Sequence, residues 1–354
     1  MKKKQNTEKF EFQRILAPLL SWYRANKRRL PWRENPTPYR VWVSEIMLQQ
    51  TRVEAVKEYY RRFLEALPNV EALAECEEEK LLKLWEGLGY YSRVRNMQKA
   101  AKLLVTTYGG EFPRDPRELR SLPGIGSYTA GAIASIAFGL PVAAVDGNVF
   151  RVASRLEENG SVISDPAYRR YLEESLSAAY PESGKDCADF TQSLFELGAL
   201  ICKPNPDCGA CPLTGLCRAY QSGTQRVFPV LPEKKAKRVE DVFVFLLQTP
   251  SGFCIRRRES GVLKGMNEFP SHVSFGESPE SVLAGWGITE FEEVRRKEYT
   301  HIFTHIRWNI TCIWARTDSA PFDTYGLDEL AESVSLPTAF KQCLGILDRT
   351  DCAR

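Results

Sequence analysis

The chain has 354 residues, long enough for two domains with sizeable cores. Apolar residues make up 43% and charged residues 26%, which excludes a disordered chain; a net charge of +3 does not by itself demand a polyanionic partner. The N-terminus is polar, without an apolar run of signal-peptide length, and the most apolar stretch (residues 135–145) is short and contains Gly139 and Pro141. No membrane span is therefore expected, and a cytoplasmic location is the default expectation.

Residues 10–23 carry apolar side chains at helical spacing. Next comes Leu30-Pro31-Trp32-Arg33-Glu34-Asn35-Pro36, a turn with an aromatic and charged residues. Thr37 before Pro38 reads as an N-cap with proline at the first helical position, opening a helix to Thr51. Within it, Glu45 has Val41, Trp42, Leu48 and Gln49 as its helical neighbours. Three of the four are apolar, so the carboxylate is expected to be partly desolvated, with a pKa moved toward that of a general acid. An ordinary glutamate on a solvated face is the commoner arrangement.

Residues 53–67 and 70–84 read as two more helices. The loop Leu84-Trp85-Glu86-Gly87-Leu88-Gly89-Tyr90-Tyr91-Ser92-Arg93-Val94-Arg95-Asn96 combines glycines, aromatics and arginines, a composition suited to a flat base and a backbone. A helix over 97–108 precedes Leu122-Pro123-Gly124-Ile125-Gly126-Ser127-Tyr128, a tight turn between helices whose free N–H groups form an anion site. Asp146-Gly147-Asn148 follows. Pro-Gly-x-Gly turns join helices in many proteins, and aspartate before a helix is more often a cap than a catalyst. Helices over 167–179 and 188–200 complete an all-helical region. The basic runs at 27–29, 93 with 95, 234–238 and 256–258 are compatible with a nucleic-acid surface, although solvated faces are their usual fate.

Ten cysteines would be many for a reducing compartment, but Cys202, Cys208, Cys211 and Cys217 cluster as C-x5-C-x2-C-x5-C. That clustering points to a metal rather than disulfides. The spacing is closer to an iron–sulfur run than to the paired ligands of zinc, and both remain open on spacing alone. Residues 222–240 have no apolar period and read as a linker. Beyond it the pattern turns to strands at 242–247, 253–255 and 308–314, with helices at 281–286 and 336–347. His301 and His305 lie in a strand-like or turn segment with no carboxylate between them and are not expected to hold a metal.

Taken in order, these segments resemble the adenine DNA glycosylases of the MutY family, within the helix-hairpin-helix superfamily of base-excision enzymes. The resemblance rests on Pro31-Trp32-Arg33, Val43-Ser44-Glu45-Ile46-Met47-Leu48-Gln49-Gln50-Thr51, the 84–96 loop, Leu122-Pro123-Gly124-Ile125-Gly126-Ser127-Tyr128, and Asp146-Gly147-Asn148-Val149 with Arg151-Val152. It implies a multi-domain α + α/β protein. An all-α helix-hairpin-helix glycosylase domain, a six-helix barrel plus an iron–sulfur module with its loop at 202–217, would span 1–221. A linker at 222–240 would lead to a Nudix-like α/β domain at 241–354. That last domain lacks the clustered Arg and Glu of a pyrophosphatase and would instead recognise 8-oxoguanine.

The resemblance further implies a monofunctional glycosylase, expected as a monomer, that excises adenine opposite 8-oxoguanine or guanine in double-stranded DNA. Glu45 would protonate the base, Asp146 would stabilise the sugar cation, and Tyr128 would position that intermediate. Trp32, Arg33, Gln50, Thr51, Leu88, Gly89 and Tyr90 would wedge into the duplex or line the base pocket. Gln192 would face DNA, Gly124 and Gly126 would hold phosphate, and Thr304 would probe the oxoguanine. Cys202, Cys208, Cys211 and Cys217 would bind one 4Fe–4S cluster. Tyr128 stands where related bifunctional endonucleases carry a catalytic lysine, and tyrosine cannot form a Schiff base. Three positions depart from the family pattern. The first cysteine interval is one residue short, Phe303-Thr304-His305 replaces Phe-Ser-His, and Asn267 stands where tryptophan is common. Two other readings compete: a bifunctional endonuclease III-like glycosylase/lyase, and a non-catalytic iron–sulfur DNA-binding damage sensor.

Overall fold

The structure, a computed structural model, describes residues 9–182, 184–233 and 236–347; Lys234 and Lys235 of the basic run lie outside the described residues. The chain divides into two compact units. One comprises Met1–Glu75 and Asn96–Glu233, the other Cys76–Arg95 and Lys234–Arg354. The segment 76–95 thus groups with the C-terminal part of the chain. Lys83 Nζ donates to the carbonyls of Ala331 (2.6 Å) and Val334 (3.1 Å), and Arg95 Nη2 to that of Gly265 (2.7 Å).

The first unit is helical, and its helices begin where capping chemistry places them. Thr37 accepts a bond from the Arg40 N–H with Pro38 at the first position, and Asp165 caps Pro166–Ser177 in the same way. The helix expected to reach Thr51 is Pro38–Leu48, because Gln49 turns extended and Gln50 takes a φ of 60°. The helix expected over 70–84 is two, Val70–Glu75 and Glu78–Leu84, separated where Glu77 is extended. Ser127–Ala132 and Lys185–Glu196 each run on into a π-helical turn, Ile133–Ala137 and Leu197–Ile201. Ile15, Leu19, Val149, Phe150, Leu172 and Phe190 are fully buried in this unit's core.

The second unit is built on a mixed sheet. Its strands are β1 (Arg238–Thr249), β2 (Gly252–Arg257), β3 (Asn267–Glu268), β4 (Ser271–Val273), β5 (Glu292–Ile302), β6 (Ile306–Arg316) and β7 (Asp323–Tyr325). The order is β3-β2-β1-β6-β5, with β4 paired to β1 and β7 to β2. β1 and β6 run parallel from Arg238↔Ile306 to Gln248↔Arg316, while β5 and β6 are antiparallel. The unbroken apolar run of β1 is explained by burial on both faces. Val242, Val244 and Leu246 pack with Trp308, Trp314 and Phe340, whereas Phe245 and Leu247 pack with Leu283 and Ile313. The extended ladder begins at Arg238, so strand structure replaces the last residues of the expected linker. The final helix is short, Thr338–Lys341, and tightens into a 3₁₀ turn, Gln342–Ile346. No helix among the described residues is long and apolar enough to cross a membrane.

Close packing sets the frame of the first unit at Gly131. A Cβ there would lie 2.3 Å from the Ala143 carbonyl oxygen, a backbone atom that cannot swing away. Gly131→Ala is therefore expected to cost about 1–3 kcal/mol through overpacking. A calorimetric Tm equal to that of the wild type would contradict this.

Candidate active site

A cleft of about 910 Å³ opens in the first unit, and Glu45, Tyr128, Asp146, Trp32, Gln192 and Glu196 all line it. Glu45 sits within Pro38–Leu48, flanked by fully buried Val41 and Trp42, and is itself only 5% exposed. Tyr128, from the helix after the glycine turn, donates its hydroxyl proton to Glu45 Oε2. Burial pushes the Glu45 carboxyl up to about 7. The bond from Tyr128 and the charge of Arg33 work the other way, and the charge of Asp146 adds to the rise. Tyr128 is held well above its ordinary value, first by burial and then by both carboxyls, so it remains a proton donor.

Asp146 is both a helix cap and a member of the cleft. Its Oδ1 accepts from the Val149 N–H at 2.7 Å, opening Gly147–Glu157, and its Oδ2 accepts from Asn148 Nδ2 at 2.8 Å. Burial raises its pKa, and these donors restrain the rise. Arg151 Nη2 in turn donates to Asn148 Oδ1 (2.7 Å) and the Gly198 carbonyl (2.9 Å), and its Nε donates to the Cys202 carbonyl (2.7 Å).

The remaining expected residues divide between the two units. Trp32 packs edge-on against Tyr60 at 5.5 Å, and Gln50 and Thr51 line the cleft at the end of the Glu45 helix. Gln192 Oε1 accepts from Tyr23 at 2.9 Å. Arg33 donates to Glu196 at 2.8 Å, and Arg28 joins it at 2.6 Å. Burial opposes the charge of Glu196, but the two arginines prevail and hold its carboxyl below the usual range. Sequence reasoning missed this trio, since Arg28 read as part of a basic run and nothing local tied it to a residue 168 positions away. Gly124, at φ +77°, and Gly126, the N-cap of Ser127–Ala132, form the hairpin turn outside the cleft lining.

Leu88, Gly89, Tyr90 and Thr304 belong to the second unit. There the Tyr90 and Thr304 hydroxyls share a hydrogen bond of 2.8 Å at a separate cleft of about 540 Å³, lined also by Phe303, His305 and Ile306.

The four clustered cysteines follow the π-helical turn 197–201. Cys202, Cys211 and Cys217 pack against the helical core. Burial pushes the Cys211 thiol up to about 12, and the neighbouring cysteines add to the shift. Arg155 Nη1 donates to Cys202 Sγ at 3.2 Å and to the Lys203 carbonyl at 2.6 Å. Among the described residues, no three or more His, Cys, Asp or Glu side chains are drawn together as a ready-made site for a metal ion. The donor set itself, four thiols in one short loop with a guanidinium beside them, fits a tetrathiolate-bound group.

Residues 43–178 match the family of HhH-GPD superfamily base excision DNA repair proteins, and residues 242–345 match the NUDIX domain. The chain is 33% identical to an adenine DNA glycosylase of Buchnera aphidicola, over 84% of each chain. It is 42% identical to the adenine DNA glycosylase of Mus musculus, over 86% of this chain and 71% of the relative. The chain belongs to the adenine DNA glycosylase family. Among solved structures, a thermostable thymine-DNA glycosylase aligns with a TM-score of 0.54 and 28% identity, covering 60% of this chain and 97% of its own. An endonuclease III in a non-covalent DNA complex aligns at 0.51 and 27%, covering 61% and 100%. Both alignments agree with the all-helical first unit.

In this family member the raised pKa of Glu45 carries a stability cost of definite sign. A carboxyl whose folded pKa lies above its unfolded value contributes stability that is complete below about 4.5 and lost as pH rises through about 7. Glutamine cannot ionise and avoids that loss. Glu45→Gln is thus expected to match the wild type near pH 4 to 5 and exceed it at pH 8, by at most about 3 kcal/mol at 1.36 kcal/mol per pKa unit. Paired thermal melts across that range test the sign; a variant less stable than wild type at pH 8 would refute the burial argument.

Proposed function

We propose that this enzyme extrudes adenine from double-stranded DNA and hydrolyses its N-glycosidic bond, with adenine opposite 8-oxoguanine or guanine as its substrate. A base inside a duplex is out of reach of a cleft, so it must be flipped out first. The observation that carries the reading is one buried cleft holding two carboxyls in different environments. Glu45 is poised near neutrality, and Asp146 accepts two hydrogen bonds.

Cleavage of such a bond passes through an oxocarbenium-like state, which calls for an acid at the leaving group and a negative charge beside the sugar. Glu45 gives its proton to a ring nitrogen of adenine, and the bonding pair leaves with the base. Asp146 stabilises the sugar cation or captures it, with the Tyr128 hydroxyl beside both carboxyls to orient Glu45 and the sugar. Glu45, now ionised, takes a proton from the water that adds to the sugar carbon. Tyr128 has no amine, so no Schiff base forms and no strong lyase step accompanies hydrolysis.

Trp32, Arg33, Gln50, Thr51 and Gln192 are assigned to base and DNA contact, with phosphate at the Gly124–Gly126 turn. The second unit is assigned to the opposite base through Tyr90 and Thr304. Leu88 and Gly89 are assigned to the duplex. The enzyme is taken to act as a monomer in the cytoplasm. Cys202, Cys208, Cys211 and Cys217 would hold one 4Fe–4S cluster, whose contribution when bound is to tie the 202–217 loop together as a DNA-facing scaffold.

Single-turnover cleavage of a duplex with adenine opposite 8-oxoguanine, read as alkali-labile sites, tests the assignment. Wild type should release adenine, while Glu45→Gln and Asp146→Asn should each lose roughly 10²–10⁴-fold in rate. The wild-type rate should fall as pH rises above about 7, following the Glu45 carboxyl. Wild-type inactivity on this duplex would defeat the proposal. For the cluster, iron and acid-labile sulfide should be present in equal amounts in anaerobically purified protein, and Cys211→Ser should lower both. Stoichiometric zinc without iron would instead assign the loop to zinc.

A further inference from the structure

The loop that carries Tyr90 adopts a conformation that ordinary residues avoid. Gly87, Gly89 and Tyr90 have φ values of 97°, 68° and 48°. For tyrosine the left-handed region is uphill, so something else in the structure must hold it there. Arg93 does so from the first turn of Ser92–Tyr108. Its Nη2 donates to the carbonyls of Leu88 (3.0 Å) and Gly89 (3.1 Å). Its guanidinium also lies over two rings, 5.3 Å from that of Trp85 and 5.5 Å from that of Tyr90. Trp85, fully buried, adds an Nε1 bond to the Gly89 carbonyl at 3.0 Å. Tyr90 emerges 47% exposed, with its hydroxyl on Thr304.

We propose that Arg93 is the positioning residue of the opposite-base probe: it fixes the Leu88–Tyr90 turn so that the Tyr90 ring and the Tyr90–Thr304 hydroxyl pair are presented in one orientation. The inference rests on the reading that the second unit inspects the base opposite adenine. A planar cation suits the task. Its plane can lie against aromatic rings while its N–H groups serve two carbonyls, and an ammonium cannot do both. Burial lowers the Arg93 pKa to about 10, which leaves it charged at neutral pH. The turn therefore keeps its cation throughout the working range.

The test compares single-turnover rates on adenine:8-oxoguanine and adenine:guanine duplexes at saturating enzyme. Their ratio is insensitive to the fraction of protein that is folded. Arg93→Gln is expected to lower the wild-type preference for the 8-oxoguanine duplex about tenfold, as loss of the two carbonyl bonds implies. Arg93→Lys should fall between. Lys83→Gln, which cuts a tie to Ala331 and Val334 in the same unit, should lower stability and leave the ratio unchanged. A purely structural role for Arg93 would make it behave as Lys83 does. Should Arg93→Gln fail to fold, Arg93→Lys combined with Tyr90→Phe carries the test, since their effects on the ratio should be non-additive. An unchanged ratio in the Arg93 variants, or strict additivity, overturns the positioning role alone. A wild type with no preference between the duplexes overturns both this role and the reading beneath it.

Discussion

Two carboxyls buried in the wall of one cleft cannot both be comfortably ionised, and the site is organised around that conflict. Asp146 and Glu45 resolve it differently. Asp146 stands at the start of an 11-residue helix, where a backbone N–H and the Asn148 amide point at its oxygens and the helix end favours negative charge. Glu45 lies within a helix among apolar neighbours, and the bond it accepts is from a phenol. Burial raises the pKa of both carboxyls, but the donors around Asp146 restrain its rise, whereas Glu45 is carried up to about 7. Environments that push two pKa values apart are what assign acid and electrostatic stabiliser in glycoside chemistry.

The anion's partners lead away from the cleft without a break. Asn148 holds Asp146, Arg151 holds Asn148, and Arg151 also bonds the carbonyls of Gly198 and Cys202. The backbone of Gly198 comes so near Asn148 that a Cβ would lie 2.6 Å from the asparagine Cβ. Cleft and cysteine loop therefore share one set of tightly fitted donors and acceptors, and displacement of the 202–217 loop would be felt at the Asp146 oxygens. The Arg28–Glu196–Arg33 cluster is a second such device. Glu196 is fully buried, so removing either arginine would leave a charge short of compensation rather than merely weaken a contact.

Local chemistry was legible in the sequence. Thr37 before Pro38 marked a helix start, and the apolar neighbours of Glu45 foretold its burial because helical spacing alone decides them. Asp146 defeated the either/or choice between cap and cleft residue by being both. What could not be read was long-range. Strand β5, Glu-Glu-Val-Arg-Arg-Lys-Glu-Tyr-Thr-His-Ile, has almost no buried position and so no apolar period; pairing with β6 makes it a strand. The membership of 76–95 in the second unit depends on bonds such as Lys83 to Ala331, which span about 250 residues and leave no local trace.

The meeting of Tyr90 with Thr304 likewise joins residues 214 apart, and its chemistry bears on the departure from serine at position 304. A hydroxyl both donates and accepts, so alone it would suit the N7 lone pair of guanine as well as the N7–H of 8-oxoguanine. In the proposed reading, discrimination between them requires that the proton be committed elsewhere. When Thr304 donates to the Tyr90 oxygen, it presents only lone pairs, which accept from N7–H and repel a bare N7. The added methyl helps, because a β-branched side chain has fewer χ1 options and keeps the hydroxyl aimed. In the proposed reading, threonine sharpens the probe only as long as Tyr90 stays within reach, and that depends on the left-handed turn beneath it.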